Sequence, residues 1–145
     1  MAGLRVGTGG GTLVLDAEGL SKLAAGDARV RAYLDQARAR SARVETAAIT
    51  LTETLRGGAR DARVHRVLSR IRVVTVTAEV GRQSGELLGT AGLSGHRCAI
   101  DAVAAATALR AERPVVLLTS DPEDMNKLVE EPDRPKAERI VVIRV

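Results

Sequence analysis

The chain of 145 residues is 45% hydrophobic and 28% charged, long enough to enclose one core and too apolar for a disordered segment. Its one cysteine, Cys98, excludes an internal disulfide, and its one aromatic, Tyr33, excludes the stacking platform with which single-strand binding folds hold bases. The net charge is +4, and since only Lys22, Lys127 and Lys136 are lysines, 19 of the 22 basic residues are arginine, the side chain that grips phosphate with two prongs; a nucleic-acid partner is allowed, although a GC-rich coding bias yields the same composition.

The chain opens with "VGTGGG", 6–11. It lacks the Gly-Lys-Ser/Thr ending of a phosphate loop and precedes a strand instead of following one, so residues 1–11 read as a flexible Gly-rich leader and 12–145 as a single domain. Short β-rich runs follow: Thr12 to Leu15, "VETAAITLT" from Val44, "RVVTVT" from Arg72, "PVVLLTS" from Pro114 and "RIVVIRV" from Arg139. Their apolar residues are continuous, as in strands covered on both faces. Between them, "DARVRAYLDQARAR" from Asp27, "RDARVHRVLSR" from Arg60, "VGRQSGELLGTAG" from Val80 and "AIDAVAAATALRAE" from Ala99 carry apolar residues at spacings of three and four, as helices do. Strand and helix in alternation predict an α/β fold with right-handed crossovers and a mostly parallel sheet. "EEPDRPKAE", 130–138, reads as a surface loop. No run approaches the roughly 18 apolar residues of a membrane span, and no signal peptide is evident; with one cysteine and no zinc spacing around His96 and Cys98, a cytoplasmic protein is expected.

In an open parallel sheet, ligands collect beyond the carboxyl ends of the strands. Asp16 follows the first strand, Glu53 ends "AAITLT", Asp121 ends "VVLLTS" with Asp124 a turn later, and Asp101 lies near the start of an Ala-rich helix able to approach the sheet closely. Carboxylates gathered within ~4–6 Å of one another repel unless a cation intervenes, and an oxygen-only donor set without clustered His or Cys suits Mg2+ or Mn2+. Each acid also has a plain reading: Asp16, Asp101 and Asp121 as helix caps, Glu53 and Asp124 as first-turn residues facing a helix dipole.

Four stretches, "LVLDAEGL", "AAITLTETLRGG", "CAIDAVAAATAL" and "VVLLTSDPEDM", make the sequence resemble the PIN-domain family, and in size and layout the VapC-type toxins of bacterial toxin-antitoxin pairs. The resemblance runs from about Thr12 to Val145. It implies a three-layer α/β/α fold around a five-stranded sheet of order 3-2-1-4-5, with Asp16, Glu53, Asp101 and Asp121 as an acidic quartet and Asp124 as an accessory acid around one or two Mg2+ or Mn2+ ions. It further implies endoribonuclease activity on RNA, a homodimer and a cognate antitoxin partner. Thr119 matches the family's hydroxyl residue, placed to steady the carboxylates or the attacking water. Arg56, beyond Glu53, is a candidate phosphate contact. Glu18, where the family has a small polar residue, is a further metal-facing acid or the partner of an arginine.

Three other readings share parts of this pattern. A haloacid-dehalogenase-like phosphatase needs a second Asp where Glu18 stands, and a catalytic Lys. A receiver domain needs an Asp ending the third strand, where "RVVTVTAEV" offers only Glu79. A PIN-like domain without catalysis, binding RNA or a protein, keeps the fold and uses the acids differently.

Overall fold

The computed structural model describes residues 10–145. Five parallel strands, β1 (Thr12–Leu15), β2 (Arg43–Ala47), β3 (Arg72–Val74), β4 (Val115–Thr119) and β5 (Val141–Arg144), lie in the order β3-β2-β1-β4-β5. β1 is central, in register with β2 at Leu13 and Val44 and with β4 at Leu13 and Val116. Seven helices cover the sheet: α1 (Ala17–Ala25), α2 (Ala28–Ala39), α3 (Leu51–Thr54), α4 (Ala62–Leu68), α5 (Ala78–Ala91), α6 (Gly95–Arg110) and α7 (Pro122–Leu128). This is the expected three-layer α/β fold with the expected strand order.

Strand alternation divides the core. Leu13 and Leu15 of β1 point to one face, where Leu20 and Leu23 of α1 and Val30 and Leu34 of α2 meet them. Val14 points to the other, against Ala102, Ala104, Ala105 and Ala108 of α6 and Met125 and Leu128 of α7. The same period of two directs Asp16, the next even position, toward the α6 face.

Several elements depart from the sequence reading. β2 stops at Ala47 and does not run on to Thr52: Ala48–Thr50 tightens into a 3-10 turn that becomes α3. Its last pair is Ala47 with Val74 of β3, so residues beyond the sheet's edge have no ladder to join, and β-branched content alone does not hold them extended. β3 ends at Val74 because Thr77 caps α5, its hydroxyl accepting from Val80 N. α6 begins at Gly95, so His96 lies in its first turn, not in a loop, and Asp101 sits further along the helix than its start. α1 and α7 follow directly from the capping acids Asp16 and Asp121. The leader expected over 1–11 lies, for its first nine positions, outside the described residues. Gly10 and Gly11 are described and close against the domain: Gly10 O accepts from the Arg40 guanidinium at 3.0 Å and Gly11 O from Arg43 N at 2.9 Å. Gly11 has φ +81°, and a Cβ there would meet Pro114 O at 2.0 Å, so only glycine fits.

Candidate functional site

At the carboxyl edge, Asp16 serves two backbones at once. Its Oδ1 accepts from Gly19 N at 2.8 Å, capping α1, and its Oδ2 from Ser120 N at 3.1 Å, just past β4. The end of β1 that carries it is pinned by Leu118 O, which accepts from Asp16 N at 3.1 Å, and by the Thr46 hydroxyl, which donates to Leu15 O at 2.8 Å. Burial pushes the Asp16 carboxyl above the usual range, opposed by its hydrogen bonds from Gly19, Thr119 and Ser120. Thr119 is fully buried; its Oγ1 accepts from the backbone N of Asp121 at 3.0 Å, and its hydroxyl is near enough to the Asp16 carboxyl to help lower it.

A small cavity of about 90 Å³ opens here, walled by Asp16, Ala17, Glu18, Thr50, Glu53, Ile100, Asp101, Ala104 and Ser120. Glu53 reaches it from α3 and Asp101 from α6. The Asp101 carboxyl is pushed up to about 6, first by burial and then by the charges of Asp16, Glu53, Asp121 and Asp124. That one group feels all four others shows the five acids gathered within electrostatic reach at one edge. Asp121 and Asp124 stand outside the cavity wall, Asp121 capping α7 through Asp124 N at 3.3 Å. Asp124 lies 3.9 Å from Lys127 Nζ and 3.8 Å from the buried Cys98 thiol, whose ionisation burial and the nearby acids disfavour. Among the described residues, no three acidic, His or Cys groups already form a metal cage.

Glu18 both lines the cavity and pairs with a lysine, Lys22 at 3.8 Å, where an arginine had been the expected partner. Arg56 is exposed and turned back, its guanidinium donating to Thr52 O and Leu55 O at 3.0 and 2.7 Å. Behind it, Asp61 accepts from Arg56 N and Gly57 N at 2.9 and 2.6 Å, which holds its carboxyl below the usual range. Sequence reasoning missed Thr46, Thr50 and Asp61. The first two sat inside a β-branched run and looked like strand filler, and the Gly57-Gly58 pair after Arg56 was the signal that a tight turn needed a nearby acceptor.

A doubly wound parallel sheet with five acids at the carboxyl edge of its central strands defines a class, and comparison with known proteins agrees with it. The PIN domain family model matches residues 13–130, and the chain belongs to that family. Among solved structures it is similar to VapBC2 from Rickettsia felis bound to a DNA fragment from their promoter (15% identity, 92% of this chain and 98% of that one, TM-score 0.63). FitAB bound to the IR36 DNA fragment (19%, 91% and 94%, 0.61) and FitAcB from Neisseria gonorrhoeae (20%, 90% and 95%, 0.59) are similar in the same way. At these identities the likeness is one of fold. No curated protein matches the chain in sequence.

Proposed function

We propose that the chain is a divalent-cation-dependent endoribonuclease, the toxin of a VapBC-type pair. The observation that carries this is the convergence of Asp16, Glu53 and Asp101 on one cavity, with Asp121 and Asp124 close enough to raise the Asp101 carboxyl. The donor set fits a hard cation in kind: carboxylate oxygens, one of them raised by burial and by the charges of its neighbours, and the fully buried Thr50 hydroxyl, which has no partner among the described residues. Asp16, Glu53, Asp101 and Asp121 would hold Mg2+ or Mn2+, with Asp124 beside them; since no cage is preformed among the described residues, the side chains would draw inward on binding.

When bound, the cation supplies Lewis acidity toward water and toward the phosphate oxygens. The chain's own part is placement. Thr119 and Ser120 N fix the Asp16 carboxylate, α6 carries Asp101 to the sheet edge, and Arg56, freed from its helix-end carbonyls, is long enough to meet a phosphate. Thr119, being buried and engaged by the Asp121 backbone beside the Asp16 carboxyl, acts on the placement of the acids and not on substrate.

An antitoxin partner is part of the same proposal. VapBC2 and FitAB are two-component assemblies by name. Here a groove of about 330 Å³ runs between α1, α2 and α4, with Leu23, Leu34, Val67 and Ile71 as its floor and Arg31, Arg38, Arg63, Arg66 and Arg70 along its walls against one acid, Asp35. That suits an amphipathic segment with carboxylates on its polar side. A homodimer is proposed too, with sedimentation of the purified chain as its check; Val73, 37% exposed on the edge strand β3, is an apolar residue such an interface would cover. Among the described residues no helix is long and apolar enough to cross a membrane, and a cytoplasmic site of action belongs to the proposal.

The test is cleavage of a mixed pool of structured RNAs with Mg2+, with Mn2+ and with EDTA. Because Asp16 also caps α1, Asp16→Ala costs about 1 kcal/mol of stability as well, and Asp16→Asn, which keeps an N-cap oxygen, is the cleaner variant. Metal-dependent cutting should fall by more than about 100-fold in Asp16→Asn, since even residues behind a ligand cost roughly 10- to 100-fold. Cutting that survives in EDTA or in the variant would overturn the assignment.

A further inference from the structure

The α3 segment contains three threonines, and they behave differently. Thr52 donates its hydroxyl to Ile49 O at 2.7 Å and Thr54 to Thr50 O at 2.9 Å, the local bonds expected of threonine in a helix. Thr50 stands at the N-cap of α3, where a threonine hydroxyl normally accepts from a backbone N–H of the first turn. It makes no such bond. Its φ and ψ of −57° and −28° continue the preceding 3-10 turn into α3, so the chain does not swing wide as a capping residue requires. Thr50 is fully buried, and among the described residues its Oγ1 is the only buried side-chain polar atom without a hydrogen-bond partner.

A buried hydroxyl left unpaired is unfavourable, and a valine of the same shape would remove that cost. Neither capping nor packing accounts for a threonine at this position. Thr50 is, however, one of the residues that wall the cavity, together with Asp16, Glu53 and Asp101. That cavity, about 90 Å³, is several times the roughly 10–15 Å³ that a single bound water needs.

We propose that Thr50 is a positioning residue of the cation pocket: its Oγ1 holds a water shared with the carboxylates of Asp16 and Asp101, and thereby fixes where the cation sits among them. The inference rests on the cation-dependent reading of the site. A hydroxyl suits the task because it donates to one group while accepting from another, so it bridges a water on either side, whereas a further carboxylate would add repulsion to a crowd that already raises Asp101.

The test compares the wild type, Thr50→Val and Thr50→Ser by calorimetric titration with Mn2+ alone and by thermal melting in EDTA. Thr50→Val should lose roughly 10- to 100-fold in Mn2+ affinity, the range for groups that orient a metal's ligands, while its melting point in EDTA is equal to or above wild type. Thr50→Ser, which restores the hydroxyl, should bind Mn2+ within a few-fold of wild type. Equal Mn2+ affinity in wild type and Thr50→Val would overturn the inference and leave the cation site standing. Affinity lost alike in Thr50→Val and Thr50→Ser would also overturn it, since that is the signature of packing. A wild type that binds no Mn2+ would remove the cation site itself and the inference with it.

Discussion

The two faces of the sheet are built from different material. On one, α1, α2 and α4 meet the strands through long aliphatic side chains, with Leu13, Leu15, Leu20 and Leu118 all at or near zero exposure. On the other, α6 presents a run of small residues, and every position from Ala102 to Ala108 is buried. The leucine face holds the domain together by burial of large apolar area. The alanine face trades some of that area for proximity: small side chains let α6 lie close to β1 and β2, and that is what brings Asp101 to the edge where Asp16 ends its strand. Stability and site geometry are thus carried on opposite sides of one strand.

Truncation on the leucine face should produce the largest change in stability and none in the site. Leu20→Ala is expected to destabilise by about 2–5 kcal/mol with Mn2+ affinity unchanged at a temperature where both forms are folded; an affinity that fell in parallel would dissolve the division. Enlarging the alanine face should do the reverse in proportion. Ala105→Leu is expected to cost about 1–3 kcal/mol, yet to weaken Mn2+ binding and RNA cleavage by more than Leu20→Ala does, because it pushes α6 and Asp101 away from the edge. Equal effects of the two substitutions on binding would show that the helix is free to settle back.

A smaller effect comes from Asp101 itself. Its carboxyl is pushed up to about 6 in the folded chain against 3.8 ordinarily, so between those values the metal-free folded state holds a proton that the unfolded chain has released. The stability this provides is complete below about pH 3.8 and is lost as pH rises through 6. Asp101→Asn should therefore raise metal-free stability at pH 7 by about 1–2 kcal/mol and flatten its slope between pH 4 and 6, measured by denaturant titration in EDTA. Cation binding should run the opposite way, tightening across that interval as the proton leaves. The smallest change belongs to Arg56→Ala: within about 0.5 kcal/mol in stability, with a loss of a few-fold in cleavage if the guanidinium turns to phosphate, and none if it stays on Thr52 O and Leu55 O.

The strand order and the layers were legible because continuous apolar runs separated by helical periods admit few topologies. Asp16 and Asp121 were legible as edge residues because Asp16 directly follows β1 and Asp121 comes two residues after the end of β4. Their capping of α1 and α7 had been weighed as the rival explanation, and the structure shows that position and capping coincide: a carboxylate at a strand's end is also at the next helix's start. Glu53 was placed at the right edge for an inexact reason, since the chain from Ala48 onward is helical and the β-branched residues Ile49, Thr50 and Thr52 pointed to strand. Thr50 could not be singled out from sequence because its meaning lies in a bond it does not make, which only the surrounding geometry reveals.

The double duty of Asp16 has a consequence for descent. Asparagine caps a helix about as well as aspartate, and the bond it would lose, from Ser120 N, comes from an exposed residue just past the end of β4, so a single-base change at this codon would keep α1 and the sheet while stripping the edge of its central charge. Lineages of this fold can therefore shed chemistry without shedding structure, and the chains most alike in architecture need not be alike in what they cut.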